Sequence, residues 1–295
     1  MTLCCWRSKK NGVNTSIFLL LLFSGLPGAC RSANMTDSKH LISGKITRNV
    51  SYGSLTRQLM DVAIPPDAGA HTPWVLVVHG GSWKYGSKSW MGGIQKMLYR
   101  NGIASANMNY RLASAQITYR EQLEDVARAA AQMKSIMAHF GNTGTYFLLG
   151  ESAGGHLSML YGYRHPEAVA GLISLSGPTD FYTETYRKNR FFKTARTTIE
   201  AITGGSYDVA GDASIFEEAS PLTHITPVPT LIFQGTRDRV VDVSQALTLA
   251  DALKQKGYPH KLVLMEGAGH VPRLLPWKRP AIYREILSWI TQNAP

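Results

Sequence analysis

The segment that most constrains this chain is Gly150-Glu151-Ser152-Ala153-Gly154, placed directly after the apolar run Tyr146-Phe147-Leu148-Leu149 and directly before a helical pattern. A buried strand must stop here, turn into a helix within a residue or two, and leave a serine at the corner. Crowding around that serine's backbone is tolerated only if the flanking residues lack bulk, as Gly150, Ala153 and Gly154 do. The Ser152 hydroxyl is then presented to a cleft. Alone, a pentapeptide of this kind is a common match, so its partners must carry the case.

The surrounding chain alternates strand-like and helix-like patterns with no internal repeat, which implies a mostly parallel sheet covered by helices. Trp74-Val75-Leu76-Val77-Val78 is a continuous apolar run ending in His79-Gly80-Gly81, as expected of a strand buried on both faces. Strands are predicted at 103–108, 146–149, 169–175, 230–233 and 260–265. Between them, residues 119–140 place Tyr119, Leu123, Val126, Ala130, Met133 and Met137 at three- and four-residue spacings, the stripe of an amphipathic helix. Further helices are predicted at 153–163, 244–256 and 282–291. From Gly177 to Pro229 two strand candidates are separated by far more chain than a crossover needs, which marks an insertion. Its aromatics, Phe181, Tyr182, Tyr186, Phe191 and Phe192, suit either a cap over the cleft or an anchor to the core. One α/β domain is expected over 55–295, with the insertion at about 177–229 and a polar leader over 30–54.

A serine hydroxyl needs a base within hydrogen-bond reach, and that base needs an acceptor to hold its tautomer. His270 is the candidate base, because Gly267-Ala268-Gly269-His270 follows the strand 260–265, and ligands of open α/β sheets bind at the carboxyl ends of strands. His79 also ends a strand, but it precedes the serine. His156, one turn into the helix after Ser152, is expected to pack or hydrogen-bond there. For the acid, Asp238 follows the strand and glycine turn Leu231-Ile232-Phe233-Gln234-Gly235. Its rival Asp242 sits where the next helix starts and reads as a cap near Ser244. An oxyanion needs preorganised donors, and Gly80, Gly81 and Ala153 are the candidates, the double glycine letting backbone N–H groups approach a substrate oxygen.

With these residues in place, the chain resembles the α/β-hydrolase-fold serine esterases that carry an HGGxW segment and a GxSAGG turn. It is similar to hormone-sensitive-lipase-like carboxylesterases and, through Trp83 and Ser152-Ala153-Gly154-Gly155-His156, to arylformamidases and small-ester hydrolases, over about residues 55–293. It departs from the first group in having Ser82-Trp83 where a third glycine would stand. The resemblance implies an α/β-hydrolase fold with a small cap and hydrolysis of a short-chain or aromatic carboxylic ester through an acyl-enzyme on Ser152. Trp83 and Glu151 are expected to contact the substrate, Trp83 as a wall of the acyl pocket. A formamidase, amidase or aminopeptidase on the same residues is the alternative, and a non-catalytic binding protein of the same fold is the alternative of another class. No cofactor and no metal are expected, since no cysteine pair and no supported H-x-x-x-H spacing occurs.

Arg7, Lys9 and Lys10 precede the apolar run 17–23, which is too short to span a bilayer, so residues 1–29 read as a signal peptide. All three cysteines, Cys4, Cys5 and Cys30, fall at or before position 30, which excludes a disulfide framework in the remainder. Leu26-Pro27-Gly28-Ala29-Cys30 resembles a bacterial lipoprotein box and makes Cys30 the candidate for lipidation and membrane anchoring. Ordinary cleavage and release is the alternative. The expected location is the bacterial cell envelope or periplasm, with secretion as the other outcome. A net charge of +11 favours anionic neighbours, and the densest basic stretch is 187–196. Export argues against nucleic acid as the partner.

Overall fold

The computed structural model describes residues 41–294. The expected signal peptide and Cys30 lie outside the described residues. Eight strands form one sheet: β1 (Lys45–Ser51), β2 (Leu59–Ile64), β3 (Trp74–Val78), β4 (Ala104–Met108), β5 (Tyr146–Glu151), β6 (Val169–Leu175), β7 (Thr230–Gly235) and β8 (His260–Met265). Their order across the sheet is β1-β2-β4-β3-β5-β6-β7-β8. The β1/β2 and β2/β4 pairs are antiparallel, and every pair from β4 through β3 to β8 is parallel.

Alternation along β3 shows how the sheet acquires two cores. Trp74, Leu76 and Val78 point to one face and belong to the core that also holds Val126 and Met133 of α2 (Tyr119–His139), Leu157 of α3 (Ala153–Arg164) and Leu249 of α7 (Val243–Gln255). Val75 and Val77 point to the other face and belong to the core that holds Ile94 and Leu98 of α1 (Gly92–Arg100) and Ile282 and Ile286 of α8 (Arg279–Asn293). All five β3 residues are buried, so a continuous apolar run is what a two-faced strand requires. Helix α3 is buried around nearly its whole circumference, which places the serine turn at the centre of the molecule.

Two differences from the sequence expectations stand out. The stretch expected as a polar leader over 30–54 contains β1, which pairs with β2, and Val50 and Tyr52 enter the core. The domain therefore begins earlier than residue 55. The pattern KITRNVS hides the strand because β1 is an edge with an exposed amino-terminal half and a register shift between Thr47 and Val50. Helix α1 was not expected either; it opens on Gly92-Gly93 behind Met91, whose side chain makes no capping bond.

The long interval after β6 contains α4 (Glu184–Lys188), α5 (Phe192–Thr203) and α6 (Ala213–Glu218). Its entry is clamped by Gln245 of α7, whose Oε1 accepts the N–H groups of Thr179 (2.7 Å) and Asp180 (2.8 Å) and whose Nε2 donates to the Asp180 carbonyl (2.8 Å). A chain of ring contacts runs from Phe181 through Tyr186, Phe192 and Tyr207 to Phe216. The aromatics of the insertion divide the work: Phe192, with Tyr207 and Phe216, holds the insertion together, while Phe181, Tyr186 and Phe191 line a cavity above Ser152.

Candidate active site

Strands β3 and β5 are neighbours, but the chain leaves β3 for β4 on one side and β5 for β6 on the other. That reversal opens a crevice at their carboxyl ends, the place where open α/β sheets bind ligands. Ser152 stands in it at φ 53°, a left-handed conformation that costs a non-glycine residue on the order of 1–3 kcal/mol. The surroundings enforce this: the Ser152 N–H donates to the Leu175 carbonyl (2.8 Å), and its own carbonyl accepts the His156 N–H (3.0 Å). Gly154 is required by close approach, since a Cβ there would lie 2.3 Å from the Val78 carbonyl oxygen.

Three side chains expected from the sequence meet at this point. His270 Nε2 lies 2.8 Å from Ser152 Oγ, and His270 Nδ1 lies 2.7 Å from Asp238 Oδ2. The Asp238 carboxylate is itself fixed by the Gln234 amide (2.9 Å to Oδ2) and by the N–H groups of Val240 (2.8 Å) and Val241 (3.0 Å), both to Oδ1. A carboxylate so held keeps the imidazole proton on Nδ1, leaving Nε2 free to accept from the serine. Asp242 is elsewhere engaged: it caps α7, accepting the Ser244 N–H at 3.0 Å, and its pKa is lowered.

The loop after β3 turns tightly. Gly81 has φ 122° and is followed by Ser82 and Trp83, both also at positive φ. A Cβ on Gly80 would sit 2.9 Å from the Glu151 carbonyl and 3.1 Å from Ser152 Cβ, so the glycine backbone lies directly against the serine turn. No backbone acceptor among the described residues takes the Gly81 N–H. Ala153 opens α3, where N–H groups have no intrahelical acceptor.

Sequence reasoning missed the residues that brace this loop. Arg57 donates to the carbonyls of Tyr110 (2.7 Å) and Gly86 (2.9 Å), and its guanidinium faces His79 Nε2 at 3.5 Å. Gln122 of α2 donates to the carbonyls of Trp83 (2.9 Å) and Arg111 (2.8 Å). Its only signal was a polar residue on an apolar helical face. Trp83 Nε1 donates to His156 Nδ1 (3.1 Å), and His156 Nε2 donates to the Ala219 carbonyl (2.8 Å), so one neutral histidine joins the loop, the helix and the insertion. Burial lowers the His156 pKa to about 4.

Glu151, expected to contact substrate, has both carboxylate oxygens taken by Arg273. Both side chains are nearly fully buried. Arg273 follows His270 by three residues, so this pair ties the histidine loop to the serine turn. Two cavities meet at Ser152. One, of about 280 Å³, is lined by Trp83, Phe181, Tyr186, Phe191 and Ile199. The other, of about 560 Å³, borders Gly80, Gly81, Trp90, Glu151, His270 and Arg273. Among the described residues no group of histidine, cysteine or carboxylate side chains is placed to hold a metal.

The BD-FAE family model matches residues 60–253, two-thirds of the sequence and six of the eight strands, β2 to β7. The chain belongs to the BD-FAE family. It is 24% identical over 262 residues to the isoprenylcysteine alpha-carbonyl methylesterase of Arabidopsis thaliana, covering 80% of this chain and 59% of that protein. It is 29% identical over 247 residues to Esterase LipC of Mycobacterium tuberculosis, covering 76% and 59%. Across such curated relatives the chain spans 59–65% of their length. Among solved structures, a truncated carbohydrate esterase from gut microbiota superposes with a TM-score of 0.74 at 19% identity, over 85% of this chain and 97% of that one. Esterase B of Lactobacillus rhamnosis gives 0.67 at 18%, over 85% and 88%. The fold is that of the α/β-hydrolases.

Proposed function

We propose that this BD-FAE protein is a serine carboxylic-ester hydrolase. The observation that carries the proposal is the His270 imidazole, 2.8 Å from Ser152 Oγ on one nitrogen and 2.7 Å from the Asp238 carboxylate on the other, where two cavities join. His270 takes the Ser152 proton as Oγ attacks the ester carbonyl, and the N–H groups of Gly80, Gly81 and Ala153 receive the developing oxyanion. Collapse of the tetrahedral intermediate expels the alcohol, protonated by His270. The leaving oxygen must therefore lie against that imidazole, which assigns the alcohol to the 560 Å³ cavity and the acyl group to the smaller aromatic one. Water then enters, His270 removes its proton, and the acid is released from Ser152. A cavity of about 280 Å³ walled by Trp83 and Phe181 suits a short-chain or aromatic acyl group.

The test is hydrolysis of p-nitrophenyl acetate or butyrate by the purified protein. Ser152→Ala is expected to lose roughly five to six orders of magnitude in kcat; activity persisting in that variant would overturn the reading. A fluorophosphonate probe that labels the wild type and not Ser152→Ala gives the same answer without a substrate. As to location, the proposal is export to the bacterial envelope with Cys30 acylated, supported by the sequence of residues 1–30. Fatty-acid labelling that survives Cys30→Ser would refute the anchor.

A further inference from the structure

The described residues include ten exposed large hydrophobic side chains, and five of them fall in three loops around the mouth of the site. Trp90 (52% exposed), Val240 (56%) and Leu274 (61%) come from three separate loops and border the same cavity at Ser152. Tyr85 (67%) lies in the first of these loops and Trp277 (73%) in the third. Scattered exposed apolar residues need no explanation, but convergence of this kind on one opening does.

Charge on the same loops is mostly basic, with one exposed acid, Glu266, where the third loop leaves β8. Segments 82–91 and 271–280 contain no acidic residue. In 236–242 the two acids are occupied, Asp238 with His270 and Asp242 with the cap of α7. Of the cations, Lys88 is paired with Asp61 and Arg273 with Glu151. Lys84, Arg237, Arg239, Lys278 and Arg279 have no carboxylate partner among the described residues. The basic stretch that dominates the sequence, 187–196, is different: Lys188 pairs with Glu184, Arg196 pairs with Glu200 and Asp208, and Arg187 and Arg190 lie over aromatic rings. Its charge is partly spent within the insertion, whereas at the mouth Arg237 and Arg239 are exposed, and Lys278 and Arg279 donate only to the backbone carbonyls of Glu266 and Arg273.

We infer that the mouth of the site docks on an anionic phospholipid bilayer, its Trp, Tyr, Leu and Val side chains entering the interface and its unpaired Lys and Arg side chains meeting headgroup phosphates. Tryptophan and tyrosine suit the headgroup level, cations suit an anionic leaflet, and Leu274 and Val240 gain by leaving water for hydrocarbon. That last contribution favours a bilayer over a soluble acidic polymer, which offers aliphatic side chains nothing. Docking in this pose would feed the 560 Å³ cavity from the membrane side. The inference uses the ester-hydrolase reading only for what is delivered, and binding is measured here without turnover, so each stands or fails separately.

The experiment is co-sedimentation of the full-length protein with vesicles of phosphatidylcholine containing 30% phosphatidylglycerol, against phosphatidylcholine alone. Comparing variants that share one N-terminus isolates the mouth from any contribution of residues 1–40. Partitioning is expected to favour the anionic vesicles by at least tenfold and to fall with salt. Trp277→Ser and Arg237→Gln should each lower it severalfold while leaving hydrolysis of soluble p-nitrophenyl acetate unchanged. Brominated acyl chains should quench part of the wild-type tryptophan emission and less of that of Trp277→Phe. Equal binding to both vesicle types, unaltered binding by the variants, or binding to dextran sulfate with none to vesicles would overturn the proposal.

Discussion

At the scale of single residues, two aspartates four positions apart show how context divides chemically identical groups. Asp238 accepts His270 Nδ1–H, a side-chain amide and two backbone N–H groups, while Asp242 closes the first turn of α7. Asp238→Asn keeps the shape but offers an N–H or a weaker acceptor to Nδ1, and kcat on p-nitrophenyl acetate is expected to fall by roughly 10⁴-fold with little change in KM. Asp242→Ala removes a cap instead. It should cost about 1 kcal/mol in denaturant unfolding with kcat within about twofold of wild type. A large loss of kcat in Asp242→Ala with a mild one in Asp238→Asn would reverse the assignment.

At the scale of elements, the Glu151–Arg273 pair joins the end of β5 to the loop beyond His270. Deleting one partner leaves the other charged and buried, and Arg273→Met is expected to destabilise the fold by about 3–5 kcal/mol by chemical denaturation. The double change Glu151→Leu with Arg273→Met should recover most of that stability. If it does not, the pair is not what makes the single variant unstable. This contact had no sequence signal, because its partners are 122 residues apart and neither belongs to a periodic pattern. The elements it joins did have one. Strands β6 and β8 have their expected bounds, and β3 and β5 were legible because strands buried on both faces need unbroken apolar runs. Antiparallel β1, half exposed and bulged, carried no such run. Of the site, the turn at Ser152, His270 and Asp238 follow from motif and chain order. Arg57, Gln122 and Gln234 act through contacts that only the folded chain creates.

At the scale of the whole molecule, two buried histidines make stability depend on pH. Burial, with a smaller contribution from nearby Arg57, lowers the His79 pKa to about 4, and burial, with Arg164, does the same for His156. Each neutral ring has both nitrogens committed. His79 donates through Nδ1 to the Gly80 carbonyl and turns Nε2 to Arg57, while His156 donates to Ala219 and accepts from Trp83. Protonation would set an N–H against an existing donor. An unfolded histidine titrates near 6.5, so between about pH 6.5 and 4 the unfolded chain takes up two protons that the native one refuses. The contribution is complete above 6.5 and is lost as pH falls toward 4, at up to about 1.4 kcal/mol per histidine per pH unit. Carboxylates with lowered pKa values, such as Glu121, Glu218 and Asp242, add a loss in the same direction, which begins as pH enters the ordinary carboxylate range and continues below it. The interval from pH 6.5 to 5 therefore reports the histidines. Guanidinium unfolding across it should show stability declining with acid. In His156→Gln, whose amide can give to Ala219 and accept from Trp83, the slope should be roughly halved; a slope equal to that of the wild type would show that His156 does not carry it.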